Sequence, residues 1–410
     1  MNEASPIRQS ACPGLYRLAP ARDGGICRVK VALGTLDAPQ ARALAEAARR
    51  WGNGIIEITS RANLQLRGIA AGDGDALVRC LLDAGLGGSN SGADDVRNVM
   101  VSPTYGIDPG ALLETAPLAR ALLALLDRRA DFHALSPKFS ILVDGGEASA
   151  PLHHPNDIWL SATSRDTFAL GLGGTLLDSP LGTLRADDAV EPLAILIERF
   201  LATGATRMRE LGTGAARLVD GLLAAPTATA ARGPSGHLGT HVQSPGVSWI
   251  GARPPLGRLT PAMLDGLATL AEREGDGAIR LTPHQSVLLP GVARPAPVLA
   301  ALAALGLVSA PDHPLADMLA CSGSTGCRSA LADTQRDAMM LAGFGINAGL
   351  HLSGCEKSCA SARAAPHTLV AVAPGRYDLY RRADGAASRF GEKLASSLTV
   401  AGIARKLAKA

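Results

Sequence analysis

The sequence predicts an α+β fold made of two repeats related by a pseudo-two-fold axis, and three observations predict it. Shifted by 223 residues, Gly34–Gly68 lies over Gly257–Gly291 without a gap, and about 12 of the 35 positions are identical. Both copies carry the same ordered signals for a helix followed by two short strands. Downstream of each comes a second, looser correspondence, in which one copy carries cations and the other cysteines.

The local signals run in the same order in each copy. Asp37 and Thr260 are placed to cap a helix, and Pro261 suits a first helical turn, where a missing N–H costs nothing. Ala- and Leu-rich residues at helical spacing carry each helix to Arg50 or Arg273, and the pairs Gly52/Gly54 and Gly275/Gly277 end it. Alternating apolar residues then predict strands at Ile56 and Ile58, and at Ile279 and Leu281. A polar turn leads to second strands around Leu64–Leu66 and Val287–Leu289. This β-α-β grammar is close to half of a ferredoxin-like unit, and two such halves are expected to pair into one sheet.

The looser part of copy one comprises Val96–Pro103 and the segment from Lys138, which is expected to begin a strand; that of copy two comprises Ala320–Cys327 and His351–Cys359. A boundary is expected in Ala225–Ser248, rich in Ala, Thr, Gly, Pro and Ser. Four units follow: 1–75, 76–235, 236–305 and 306–410.

Composition narrows the function. A net charge of +3 and 3% aromatics over 410 residues, with no basic block interleaved with aromatics, argue against a nucleic-acid surface. The start of the chain lacks a signal peptide's basic and apolar regions, and the apolar run Val298–Val308 is too short to span a bilayer, reading instead as a buried helix. The expected location is the cytoplasm, where thiols stay reduced, and seven cysteines make an odd count for a disulfide framework.

Four of those cysteines carry the strongest signal. Cys321 and Cys327 form C-x5-C; Cys355 and Cys359 form C-x3-C. Four thiolates brought by two glycine-rich loops suit a [4Fe–4S] cluster, whose sulfurs accept backbone N–H groups from a loop such as Ser322–Gly326. Zinc, which favours tighter pairs, and unliganded thiols are the alternatives. Arg61, Arg97 and Lys138 each read alone as solvated charges. Together they occupy copy one where copy two holds the cysteines, and a pseudo-two-fold would bring both sets to one cavity. Guanidinium forks there suit a polycarboxylate, with Gln65 as a further hydrogen-bonding group.

On Thr59, Arg61 and Gln65, on Arg97-Asn98-Val99 and on the C-x5-C…C-x3-C pattern, the chain resembles the nitrite/sulfite reductase superfamily across nearly its whole length. The resemblance implies half-domains at 1–75 and 236–305, a reductase-type α/β domain without cluster cysteines at 76–235, and a [4Fe–4S]-binding one at 306–410. It also implies that Cys359 is the cysteine that bridges cluster and haem iron in siroheme enzymes. Those enzymes carry K-x-K where this chain has Lys138-Phe139-Ser140.

Within the superfamily the chain is most similar to the precorrin-3B synthase family, on Ala11–Arg17, Gly52–Gly68, Leu281–His284, Ser329–Thr334 and Gly375–Leu379. That family implies an oxygen-dependent monooxygenase of cobalamin biosynthesis. It converts precorrin-3A to precorrin-3B by C20 hydroxylation with γ-lactone formation, using O2 and NADH. It further implies a mononuclear non-haem iron and an electron-donor protein. Arg61, Gln65, Arg97 and Lys138 would then bind substrate, with the three cations also catalytic. A siroheme-dependent sulfite or nitrite reductase is the alternative, and a non-catalytic iron–sulfur electron-transfer protein a second. His153, His154 and Asp157 have residue types fit for iron but read as a surface turn. His351 reads as a hydrogen-bond donor to the cluster, and His284 as either a turn residue or a substrate neighbour.

Overall fold

The computed structural model describes residues 12–227, 236–361, 365–383, 386 and 388–408. Residues 228–235 of the expected linker, and Ala11, lie outside them. The first repeat holds β1 (Ala19–Pro20), β2 (Gly25–Val29), β3 (Thr35–Asp37), β4 (Ile56–Ile58), β5 (Leu64–Ile69), β6 (Val99–Val101), β7 (Ile141–Asp144), β8 (Ile158–Ala162), β9 (Thr167–Leu172) and β10 (Gly182–Arg185). The second holds β11 (Gly239–Ser244), β12 (Val247–Ala252), β13 (Arg258–Leu259), β14 (Ala278–Leu281), β15 (Val287–Val292), β16 (Leu319–Ala320), β17 (Leu350–Ser353), β18 (His367–Ala373), β19 (Arg376–Arg381) and β20 (Glu392–Thr399).

The backbone repeats at the sequence offset. Helix Ala38–Trp51 recurs as Pro261–Glu274, each opened by a capping box, on Asp37 and on Thr260. The left-handed residues recur too: Leu33 and Leu256, Ala62 and Gln285, Gly54 and Gly277, Gly68 and Gly291. At the helix ends it is Gly54 and Gly277, with φ of 79° and 88°, that need glycine's freedom, whereas Gly52 and Gly275 are extended.

The half-domains do not merge into one sheet. They form two, ordered β1-β2-β5-β4-β13 and β11-β12-β15-β14-β3, and each lends its short edge strand to the other. Leu259 of β13 pairs with Ile56, and Leu36 of β3 pairs with Ile279, both antiparallel. The two long helices pack on each other, and Leu44, Ile56, Leu64, Leu267, Ile279 and Leu289 belong to a single buried core shared by both halves. One merged sheet would leave one apolar face of each helix without this cover.

The remaining sheets share one topology. In β10-β9-β8-β7-β6 the strands β6, β7 and β8 are parallel and the rest antiparallel; β16 to β20 repeat the pattern. Helices Ala116–Arg128 and Thr334–Gly343 supply the parallel crossovers. Ligands in such sheets gather beyond the carboxyl ends of the parallel strands. Here the chain leaves β16 at Cys321, β17 shortly before Cys355, and β7 towards the loop 150–157. Lys138 does not begin a strand, since β7 starts at Ile141. The run Val298–Val308 includes most of a helix, Pro295–Ala304, of which only Val298 and Leu302 are buried. Among the described residues no helix is long and apolar enough to cross a membrane.

Candidate functional site

The site lies where the repeats face each other. Thr59 and Thr282, again 223 residues apart, build the same turn: each hydroxyl accepts N–H bonds from residues two and four ahead. The turns deliver Arg61 and His284 to opposite copies' edges of one cleft of about 490 Å³. Loop 150–157 forms another wall, Arg207 and Arg209 a third, and Asp317, Ala360 and Ser361 a fourth. Ala360 directly follows Cys359, so the cleft abuts the C-x3-C loop.

All four cysteines of the pattern are free; Cys321, Cys327 and Cys355 are partly buried and Cys359 is exposed. Burial raises the Cys359 thiol first, and the charges of Cys355, Cys321 and Cys327 raise it further. The N–H of Gly354 donates to Cys321 Sγ at 3.1 Å. That N–H belongs to the C-x3-C loop rather than to Ser322–Gly326, whose short helical turn instead closes from Cys327 N to Gly323 O. Ser358, between two cysteines, holds φ at 54°, strain that a side chain tolerates only where its surroundings hold it.

The C-x5-C loop is braced from the other repeat. Arg67 is 3% exposed. Its Nη2 donates to Gly326 O at 2.9 Å and to Asp23 at 2.8 Å, and its Nη1 reaches Glu57 at 3.2 Å. Glu57 also accepts from Ser322 Oγ and from Arg258.

Of the candidate cations, the cleft takes Arg61 alone. Its Nη2 donates to the backbone carbonyl of Lys138 at 2.8 Å, while the Lys138 side chain is exposed. Burial, then Arg207 and Arg28, push the Arg61 guanidinium down to about 10. Gln65 accepts from Arg28 at 2.8 Å. Arg97 closes the helix Ser91–Val96 and acts electrostatically on Tyr16. Ser140 is fully buried and brings no charge.

Several groups escaped the sequence reading. Lys30 and Arg253 are a buried basic pair at the same 223-residue offset, and burial lowers them to about 8 and about 10. A basic residue closing an apolar strand in both copies was the available signal. The supposed surface turn at His153–Asp157 is part of the cleft. Asp157 is 1% exposed and paired with Arg207, and burial followed by Arg61 pushes His154 down to about 4. His284 stacks on His237 with centroids 4.4 Å apart.

His351 is fully buried, and among the described residues neither ring nitrogen has a hydrogen-bond partner, so the structure shows no donation from it to a sulfur. Burial lowers its pKa to about 4. The unfolded ring titrates near 6.5, so as pH falls from about 6.5 towards 4 the unfolded chain takes up a proton that the folded one refuses. Stability falls across that window, by up to about 3 kcal/mol. The gap between urea midpoints at pH 7 and pH 5.5 should narrow in His351→Met; an unchanged gap would show that the ring is not held neutral.

Known proteins share this architecture. The description "nitrite/sulfite reductase ferredoxin-like half domain" matches residues 19–84 and 241–305, and "nitrite and sulphite reductase 4Fe-4S domain" matches residues 92–202, the copy without the cysteine pattern. The chain is 33% identical to a precorrin-3B synthase of Sinorhizobium sp, covering 91% of this chain and 83% of that one. It is 32% identical to a ferredoxin–nitrite reductase of Synechococcus elongatus, over 82% and 73% of the two chains. The structure of the Mycobacterium tuberculosis NirA protein superposes with a TM-score of 0.76 at 21% identity, covering 93% of this chain and 79% of that one. Two matched half-domains, one matched reductase domain and a nearly full-length relative above 30% identity place the shared cleft in a known setting: the chain belongs to the nitrite/sulfite reductase family of oxidoreductases.

Proposed function

We propose that this protein is the oxygen-dependent monooxygenase that converts precorrin-3A to precorrin-3B in cobalamin biosynthesis. The observation that carries the reading is the cleft that joins the C-x3-C loop to a wall of arginines. The similarity to a precorrin-3B synthase supports it. One atom of O2 enters the macrocycle at C20 as the γ-lactone closes; the other leaves as water, with two electrons and one proton from NADH, through an electron-donor protein, and a second proton from solvent.

Cys321, Cys327, Cys355 and Cys359 fit a [4Fe–4S] cluster by the chemistry of the donor set: two loops carry four free thiols, and the Gly354 N–H already meets the Cys321 sulfur. When bound, the cluster supplies single electrons at the cleft's edge. For a mononuclear iron the fit is poor: among the described residues no three His, Cys, Asp or Glu side chains stand together as ligands of one ion.

The chain's own residues handle the substrate's charge. Arg61, anchored on the Lys138 carbonyl, presents its remaining donors to a carboxylate, and an anion there relieves the repulsion from Arg207 and Arg28. Gln65 holds Arg28, which acts on Arg61 electrostatically, whereas the Arg97 and Lys138 side chains do not line the cleft. His154, held neutral, adds hydrogen bonding to the wall without adding charge.

The nitrite reductase relative favours a second reading, siroheme-dependent reduction of nitrite or sulfite. A bound anion needs cationic stabilisation beside it, and Ser140 brings none. Anaerobically purified protein given precorrin-3A, NADH, an electron donor and ¹⁸O2 should yield a product heavier by one labelled oxygen. It should hold no stoichiometric siroheme. One siroheme per chain with ammonia formed from nitrite, or sulfide from sulfite, would overturn the reading.

A further inference from the structure

We propose that Arg207, aimed by Asp157, is a second carboxylate-binding residue of the cleft and takes an acidic side chain of the tetrapyrrole that Arg61 also engages. The inference rests on the tetrapyrrole reading of the site. It starts from Asp157, a buried carboxylate that ties three segments together. Its Oδ2 accepts the N–H of Ser140 at 3.0 Å, and its Oδ1 accepts the N–H of Met208 at 2.9 Å. Its backbone carbonyl accepts from Gly173 N at 2.9 Å. Arg207 lays Nε and Nη2 along the same carboxylate, at 3.0 Å each.

This two-point grip fixes the plane of the guanidinium and occupies one edge of it. Among the described residues Nη1 has no hydrogen-bond partner, and Arg207 lines the cleft. A pair that served packing alone would be closed on all sides. The backbone is shaped for this placement as well. Gly173 holds φ at +69°, and a Cβ there would meet the backbone of Arg209 at 3.2 Å and that of Met208 at 3.4 Å, so glycine lets the 207–209 segment reach the cleft wall.

Charge balance says what the free edge is for. The cleft lining contains Arg61, Arg207, Arg209 and Arg253 against Asp157 and Asp317, and Asp157 is already engaged by Arg207. Arg61 has no carboxylate within salt-bridge distance among the described residues, and Arg207 is the charge that acts on it most strongly. Two neighbouring guanidiniums with one carboxylate between them lack an anion. A polycarboxylate macrocycle supplies several at fixed spacing. Asp157 is accordingly a positioning residue: it touches no ligand and acts through Arg207.

Uroporphyrin III, with eight carboxylates, is a stable probe, titrated by absorbance into the holoprotein in parallel with coproporphyrin III, which has four. Arg207→Ala should weaken uroporphyrin binding by about tenfold or more, the usual loss when one charge-assisted contact disappears. Arg207→Lys, which keeps charge but loses the fork, should fall between. Arg185→Ala, an exposed arginine on β10, should match the parent. Asp157→Asn should weaken binding in the parent and add nothing in the Arg207→Ala background, a result that a merely structural aspartate would not give. Should Asp157→Asn fail to fold, the two Arg207 variants decide the matter. Parental affinity in both would overturn the role of Arg207 and leave the tetrapyrrole reading standing. No binding of either porphyrin to the parent would overturn that reading, and this inference with it.

Discussion

Cys355→Ser and Cys359→Ser proteins, purified without oxygen, should lose most of the broad visible absorbance of a [4Fe–4S] centre and most of their iron and acid-labile sulfide. Serine offers a harder, more basic oxygen donor that does not replace thiolate on these irons. Cys80→Ser should keep the full spectrum, because Cys80 lies on the helix Gly74–Asp83 of the first repeat, away from both cysteine loops. Cys359→Ser should show the larger change in tetrapyrrole spectra, since the cleft begins at the next residue. Iron and sulfide equal to the parent's in Cys359→Ser would remove it from the ligand set.

Arg67→Ala should destabilise the protein by about 3–5 kcal/mol, the range for deleting one partner of a buried ion pair. The substitution leaves Asp23 without its bidentate partner, strips one cation from Glu57 and leaves the Gly326 carbonyl with only the longer bond from Arg22 N–H. Arg42→Ala is the matched control. Arg42 makes an equally good fork to Glu272, but both side chains are more than 40% exposed, and the unfolding midpoint should stay close to the parent's. Urea unfolding measures both. Cluster bleaching in air should also be faster in Arg67→Ala alone, because Gly326 precedes Cys327. Equal midpoints for the two variants would show that the brace carries no load.

The parts of this molecule that sequence revealed are those in which one residue type is forced by one local conformation. Gly54 and Gly277 must take positive φ, Asp37 and Thr260 must cap, and so the repeat stood out at a fixed offset. The cysteine spacing likewise suggests a cluster but says nothing of its surroundings. What stayed hidden depends on partners far along the chain. Thr35–Asp37 reads as the approach to a helix, and only its pairing with Ala278–Arg280 makes it a strand. Asp157 and Arg207 are separated by 50 residues with no motif between them, so their grip on each other has no sequence signature. Arg97 and Lys138 fell in recognisable segments, but a segment does not say which way its side chain points.

The exchanged edge strands have a consequence for synthesis. When Ile56 and Ile58 emerge from the ribosome, Arg258 and Leu259, which will cover that edge, are some two hundred residues away. At about 5–20 residues per second the wait is roughly 10–40 s. Through that interval the first half-domain presents an open sheet edge, with the matching strand of another nascent chain as a competitor for its own. Crowded polysomes should therefore favour swapped dimers, and slowing initiation should favour monomers.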